Sequence, residues 1–321
     1  MNRNIAAIVL ASLAVAACQK PASGSYAAPV VLKIASQRGG TRALLQASHA
    51  LDGAPYKVEW SEFPSAQTLL EALSDGAVDA GAVGDAPFLF AYAAGARVKA
   101  VQALRGAGEG AGSSVAIVVS EHSLIRATAD LKGKRIATGK GSVGHYLLLR
   151  ALETAGLTPR DVTVVYLSPG DAKAALSAGS VDAWASWNPY VGLAVLHDHN
   201  RIIIDGRGLM TGVGFQAANQ RAIDTKHAQL QDFLARVARA QRWELDHKAD
   251  YAQALAKDTG LPLDVALYTV EHARTVAVPV DASVIAEEHD TLNHFRAAGV
   301  IDKAPDVDHA FDTSFSGAAE P

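Results

Sequence analysis

The alternation of apolar and polar positions divides most of the chain into short strands and amphipathic helices, and one stretch of that pattern occurs twice. Val30 to Ser36 reads as a first strand, and a helix is expected from Thr41 to His49. Val58-Glu59-Trp60-Ser61-Glu62-Phe63 alternates like a half-buried strand until Pro64 breaks it. An Ala/Leu-rich helical run then ends at Gly76, which suits the left-handed position just past a helix. A Val/Ala strand and the turn Gly84-Asp85-Ala86-Pro87 follow. From Leu176, 103 positions beyond Leu73, the series Leu, Ser, Gly, Val, Asp, Ala recurs in register and ends at Ala183-Trp184-Ala185-Ser186-Trp187-Asn188.

The repeat has a partner upstream. Lys33-Ile34-Ala35-Ser36-Gln37-Arg38-Gly39-Gly40 matches Arg135-Ile136-Ala137-Thr138-Gly139-Lys140-Gly141-Ser142 at an offset of 102. Each is a strand, a Gly-bearing loop and the start of a helix. One βαβ unit therefore stands near 31–84 and again near 134–187. The pattern predicts an α/β protein of two lobes with a ligand cleft between them, because open α/β sheets bind ligands beyond the carboxyl ends of their strands.

Between and after the repeats, a helix is expected near Phe88–Ala94 and a strand over Lys99–Leu104. The Gly-rich stretch 106–112 reads as a loop, and Val115–Ser120 as a strand leaving lobe one. Lobe two continues with strand Arg135–Thr138, helix Val143–Ala155, strand Val162–Leu167, a helix, and strands Val181–Ala185 and Ile202–Asp205. Gly212 to Ala218 crosses back into lobe one. A long helix is expected from Asp224-Thr225 to Trp243, and another, capped by Asp281, up to Gly299. Lobe one thus comprises 29–118 and 213–321, and lobe two 119–212.

Composition agrees with two cores. A length of 321 residues suggests about two domains at roughly 150 residues each. With 49% hydrophobic and 19% charged residues the chain is not of the disordered class. The formal net charge of −4 and the lack of a basic stripe give no support to a nucleic-acid partner. Residues 1–17 read as a signal peptide: Arg3 supplies its positive end and Ile5–Ala17 an apolar run too short to span a bilayer. Val15-Ala16-Ala17-Cys18 looks like a bacterial lipobox, which makes Cys18, the one cysteine, a lipid-attachment site, with 18–28 as tether. Plain cleavage beside an incidental Cys is the alternative. The body is expected outside the cytoplasm, tethered to the membrane.

The loops carry the candidate chemistry. Ser142 stands where an N-cap belongs, and the Gln37–Thr41 turn has the same place in lobe one. Two helix N-termini facing one cleft offer N–H groups and positive dipole ends to a small oxyanion; two ordinary capped helices are the plain alternative. Asp85 either caps the helix after Pro87 or orders amides in the cleft. Trp184 reads as core, whereas Trp187, beside Asn188 and Pro189, offers a flat apolar wall with an N–H. Gly139-Lys140-Gly141-Ser142-Val143-Gly144 fits a dinucleotide loop, but the next strand ends Val165-Tyr166-Leu167 without the acidic residue a ribose needs. No cofactor is expected. His197-Asp198-His199 is a weak metal pattern, and no acid orients the Ser142/His145 pair for nucleophilic catalysis.

Together these motifs resemble the aliphatic sulfonate-binding proteins of bacterial ABC importers, in the nitrate/sulfonate/taurine branch of periplasmic binding proteins. The likeness covers about residues 30–310. It is carried by Ser36-Gln37-Arg38-Gly39, Glu62-Phe63-Pro64, Val83-Gly84-Asp85-Ala86-Pro87, Gly139-Lys140-Gly141-Ser142, Leu147-Leu148-Leu149-Arg150 and Val181-Asp182-Ala183-Trp184-Ala185-Ser186-Trp187-Asn188-Pro189-Tyr190. It implies a two-lobed type II fold that closes on a small organic anion and delivers it, as a monomer, to a permease and its ATPase. It also implies that Gln37, Gly84, Asp85, Ala86, Gly141, Ser142, His145, Trp187, Asn188 and Phe215 face the ligand. Such proteins often read Trp-Asp-Pro where this one has Trp187-Asn188-Pro189, which leaves alkanesulfonate, sulfate ester, taurine and nitrate open. A ligand sensor for a membrane receptor would share this signature; a secreted enzyme would need a catalytic set that the sequence does not display.

Overall fold

A computed structural model describes residues 29–38, 40–107, 111–302 and 305–319. The signal peptide, Cys18 and most of the tether lie outside them. The first unit runs β1 (Val31–Gln37), α1 (Thr41–Ala47), β2 (Lys57–Phe63), α2 (Ala66–Ser74), β3 (Ala80–Gly84), α3 (Asp85–Ala93) and β4 (Val98–Gly106). The second runs β5 (Val115–Val119), β6 (Arg135–Thr138), α4 (Val143–Thr154), β7 (Thr163–Tyr166), α5 (Pro169–Ser177), β8 (Ala183–Trp187), α6 (Tyr190–Leu196) and β9 (Arg201–Asp205). The chain then returns through β10 (Val213–Asn219), α7 (Gln220–Asp246), α8 (Lys248–Thr259), α9 (Leu263–His272), β11 (Thr275–Val278) and α10 (Ala282–Ala297).

The two sheets have one plan. The first is ordered β11-β4-β10-β3-β1-β2 and the second β7-β6-β8-β5-β9. In each, the repeated unit gives three parallel strands, with β1 between β2 and β3 and β6 between β7 and β8. The register repeats too: Ile34 opposes Ala80, and Ile136, at the same place in the second unit, opposes Ala183. A crossing strand then pairs antiparallel with the third strand, β10 on β3 and β5 on β8. All of β5 belongs to the second sheet, so the crossing out of lobe one is complete before Val115, three residues ahead of the expected boundary.

The recurring Gly and Asp of the repeat have structural duties. Gly76 and Gly179 end their helices at φ +75° and +68°, where a side chain is strained. Asp79 accepts the Lys33 N–H at 2.7 Å, and Asp182 accepts the Arg135 N–H at 2.8 Å, each tying the last strand of the unit to the first.

Each sheet is buried on both faces. In lobe one, Leu32, Ile34, Leu44 and Leu45 pack with Leu230, Phe233 and Leu234 of α7 on one side. Leu69, Leu73, Phe88, Phe215 and Phe295 fill the other. In lobe two, Ile117, Ile136, Leu147 and Leu148 lie under α4, and Trp184, Val191 and Leu176 lie under α5 and α6. Fully burying one such large side chain contributes about 1.5–3 kcal/mol.

Three elements differ from expectation. The long helix starts at Gln220, because Asn219 caps it by accepting the Ala222 N–H at 2.8 Å; a kink at Lys226 separates this first turn from the part expected from Asp224. β8 runs on through Trp187, which is therefore a strand residue. β11 was read as part of a mostly helical region; it pairs antiparallel with β4 and becomes the sheet edge.

Candidate ligand-binding site

Strands β1 and β3 of lobe one and β6 and β8 of lobe two end on a common cleft. It holds a cavity of about 290 Å³. Gln37, Gly84 and Asp85 line it from lobe one, and Ser142, Trp187, Asn188 and Tyr190 from lobe two. The two crossing segments lie side by side at its floor, with the Gly106 N–H donating to Gly212 O at 2.9 Å.

The facing turns approach closely. A Cβ on Gly84, the N-cap of α3, would stand 2.6 Å from Val143 Cγ1 in the first turn of α4. Gly141, at φ +69°, lies against the ring of Phe90, which a Cβ there would overlap. Only glycine allows the helix N-termini to meet in this way. Two hydrogen bonds span the lobes beside them: Tyr190 Oη donates to Pro64 O at 3.0 Å, and Gln67 Nε2 to Lys140 O at 3.2 Å.

Asp85 is the first residue of α3, so its carboxylate sits at the positive end of that helix. Its Oδ1 accepts the Ala86 N–H and its Oδ2 the Thr211 hydroxyl at 3.1 Å. It therefore ties the turn to the segment that crosses back from lobe two. Burial pushes this carboxyl up to about 6, against the pull of those two donors. Gln37 is held by donating Nε2 to Ala82 O at 2.9 Å. Ser142 caps α4, its Oγ accepting the His145 N–H at 3.1 Å.

Six of the ten expected residues, namely Gln37, Gly84, Asp85, Ser142, Trp187 and Asn188, line the cavity. The other four are placed behind it. Ala86 is buried in the first turn of α3. Phe215 lies in the lobe-one core against Phe88, with ring centroids 5.2 Å apart. The His145 ring is buried, and its Nδ1 accepts the Gly141 N–H at 3.1 Å. That bond makes His145 a brace for the turn and occupies the Gly141 amide. Burial, with Lys140 nearby, pushes this imidazole down to about 4, so the ring is neutral at pH 7.

Trp187 stands half-buried at the end of β8, its ring edge-on to Tyr190 at 5.8 Å. Asn188 donates its backbone N–H to Ser114 O at 2.8 Å. Its side-chain Oδ1 and Nδ2 are both buried and have no hydrogen-bond partner among the described residues. The same holds for Nε of Arg274, which reaches the cavity from the loop between α9 and β11. An unpaired buried donor or acceptor costs roughly 1–3 kcal/mol, so these atoms mark where a polar ligand is favoured.

Sequence reasoning did not find Arg274, Tyr190 or Ser114. Tyr190 closed a motif quoted for the family, but Arg274 lies in the unrepeated part, in no pattern that sets it apart. Among the described residues no group of three or more His, Cys, Asp or Glu is placed to hold a metal, and no helix is long and apolar enough to cross a membrane. In the His197-Asp198-His199 run, His197 pairs with Asp264 and Asp198 with Lys173.

Comparison with known proteins agrees with this geometry. The model of the NMT1-like family matches residues 27–258. Over 309 residues, 95% of either chain, the sequence is 36% identical to an aliphatic sulfonates-binding protein of Escherichia coli K12. The alkanesulfonate-binding protein SsuA from Xanthomonas axonopodis pv. citri, bound to MOPS, superposes with a TM-score of 0.81 at 35% identity, covering 89% of this chain and 99% of that one. The periplasmic aliphatic sulphonate binding protein SsuA from Escherichia coli superposes with a TM-score of 0.76, also at 35% identity, over 88% and 92%. The family model spans well over half of the chain, and a relative more than a third identical extends along nearly all of it; this chain belongs to the NMT1-like family, in its aliphatic sulfonate-binding branch.

Proposed function

We propose that this protein is the extracytoplasmic solute-binding subunit of an ABC importer and that it carries a sulfonate-type organic anion to the permease and its ATPase. The observation that carries the reading is the set of unpaired polar atoms on the cleft wall, the Asn188 amide and Arg274 Nε, between two helix N-termini. Donors around a half-apolar cavity suit an anionic head with an apolar tail. Trp187 supplies the apolar wall. The Xanthomonas relative holds MOPS, a propanesulfonate. Binding rather than catalysis is favoured because Ser142 and His145 are engaged as cap and brace, with the His145 ring turned to the Gly141 amide and not to the Ser142 hydroxyl.

Melting the mature protein against butane-1-sulfonate, taurine, a short alkyl sulfate and nitrate tests this. A true ligand at about a hundred times its dissociation constant adds roughly 2.7 kcal/mol. Stabilisation by the alkanesulfonate is expected; a response to nitrate alone, or to none of the four, overturns the reading. We also propose a lipid anchor at Cys18, which predicts that Cys18→Ser moves the protein from the membrane fraction to the soluble one.

A further inference from the structure

Behind the cleft lies a second cavity of about 150 Å³, against the roughly 30 Å³ that one liquid water occupies. Gly40, Ala82, Leu104, Ala273 and Thr275 line both, and four of these five are Gly, Ala or Thr, so the partition is thin. The far wall comes from β10, α7 and α8, and it is polar. It includes Gln216, Gln241, Glu244 and Tyr251. Gln241 donates Nε2 to Thr275 Oγ1 at 2.9 Å, and its Oε1 has no partner among the described residues. Gln216 Oε1 is likewise unpaired, with the residue 1% exposed.

Glu244 is the chamber's carboxyl, 4% exposed. A carboxyl in such a place weakens the fold unless something uses it. The charged and titratable groups facing it are Arg274, from the loop before β11, and Tyr251 of α8. Burial pushes Glu244 up to about 8, with Arg274 pulling the other way, so it is mostly protonated at pH 7. Unpaired amide oxygens around a carboxyl make a lining that receives hydrogen bonds. That chemistry matches a cationic nitrogen and is foreign to the sulfonate head.

We propose that this chamber is a subsite for the far end of the ligand, a protonated amine several bonds from the sulfonate, with Glu244 as its counter-ion. The inference rests on the cleft's being the sulfonate site. On binding, the Glu244 carboxylic acid gives its proton to solvent and the resulting carboxylate pairs with the ammonium, a charge-assisted contact stronger than a neutral one.

The test is titration calorimetry at pH 7 with alkanesulfonates of three, four and five carbons, each with and without a terminal amine, in two buffers of different ionisation enthalpy. At least one amine-bearing ligand is expected to bind ten times more tightly than its amine-free counterpart while releasing close to one proton. In Glu244→Gln that ratio should fall to within twofold and the proton release should vanish. Equal affinities in the wild type, a ratio that survives in Glu244→Gln, or a preference without proton release each overturn the assignment. If amine-free sulfonates bind and the amine adds nothing, only the chamber reading falls; if neither series binds, the sulfonate reading falls and takes this one with it.

Discussion

Replacing Asp85 by Asn should stabilise the ligand-free protein at neutral pH and leave it little changed near pH 4. The carboxyl is 2% exposed and titrates near 6, above the ordinary 3.8. A raised acid binds more protons folded than unfolded, so its contribution is fully present below about pH 4 and is lost as pH rises through 6. Two units at about 1.4 kcal/mol each give roughly 3 kcal/mol. Asn keeps an oxygen for the Ala86 N–H, but its NH₂ faces the Thr211 hydroxyl, which already accepts the Val213 N–H at 3.2 Å. That rearrangement costs about 1 kcal/mol at every pH. The diagnostic quantity is therefore the slope. Urea titrations from pH 4 to pH 8 should show the Asn variant gaining on the wild type by about 3 kcal/mol, nearly all of it below pH 7. Ligand affinity should follow the same group: an anion next to a neutral Asp85 meets no repulsion, so wild-type affinity rises as pH falls through 6, and the variant is flat. A stability difference that does not change with pH would refute the buried, raised carboxyl.

Three further outcomes follow from the cleft. Trp187→Ala should weaken sulfonate binding by about 2–4 kcal/mol in titration calorimetry, the range for truncating a buried aromatic anchor; unchanged affinity with a lowered melting temperature would make it a core residue. Arg274→Met should cost about 1.5–3 kcal/mol, the usual worth of a hydrogen bond to a charged group, and flatten the salt dependence of affinity. A loss of less than twofold would leave the grip to Asn188 and the turns. Tyr190→Phe removes the 3.0 Å bond to Pro64 O across the lobes and should raise the ligand off-rate about fivefold in stopped-flow fluorescence, for a bond worth about 1 kcal/mol; an unchanged off-rate would mean that this bond does not hold the lobes closed.

What the sequence made legible was what the chain states twice. Gly76 and Gly179, Asp79 and Asp182, and the loops at 37–40 and 139–142 recur because each closes a strand, a turn or a helix within its own unit, and local chemistry is visible locally. The less legible features depend on segments far apart in sequence. His145 fits the spacing of a ligand contact three residues past Ser142, yet α10 brings Phe295 to within 6.2 Å of its ring, and the side chain turns to the Gly141 amide. Phe215 follows Gly214, which pairs with Gly84 at the cleft, and strand alternation points it to the opposite side, into the core. β11 is four residues long and is held by its neighbour β4 more than by its own propensity.

The same division orders the site. The repeated units contribute facing turns of nearly equal chemistry, Gly84-Asp85 from one lobe and Ser142-Val143 from the other, and equal turns alone would make a nearly symmetric grip with little to tell one anion from another. Arg274, Thr275 and the wall bearing Gln241 and Glu244 come from the unrepeated segment α7 to β11, which packs on lobe one alone. They break the symmetry on one side of the cleft. Recognition of a charged head can therefore be held constant by the repeat, where Gly84 and Gly141 leave no room for change, while the tail is read by residues free to vary without disturbing how the lobes meet.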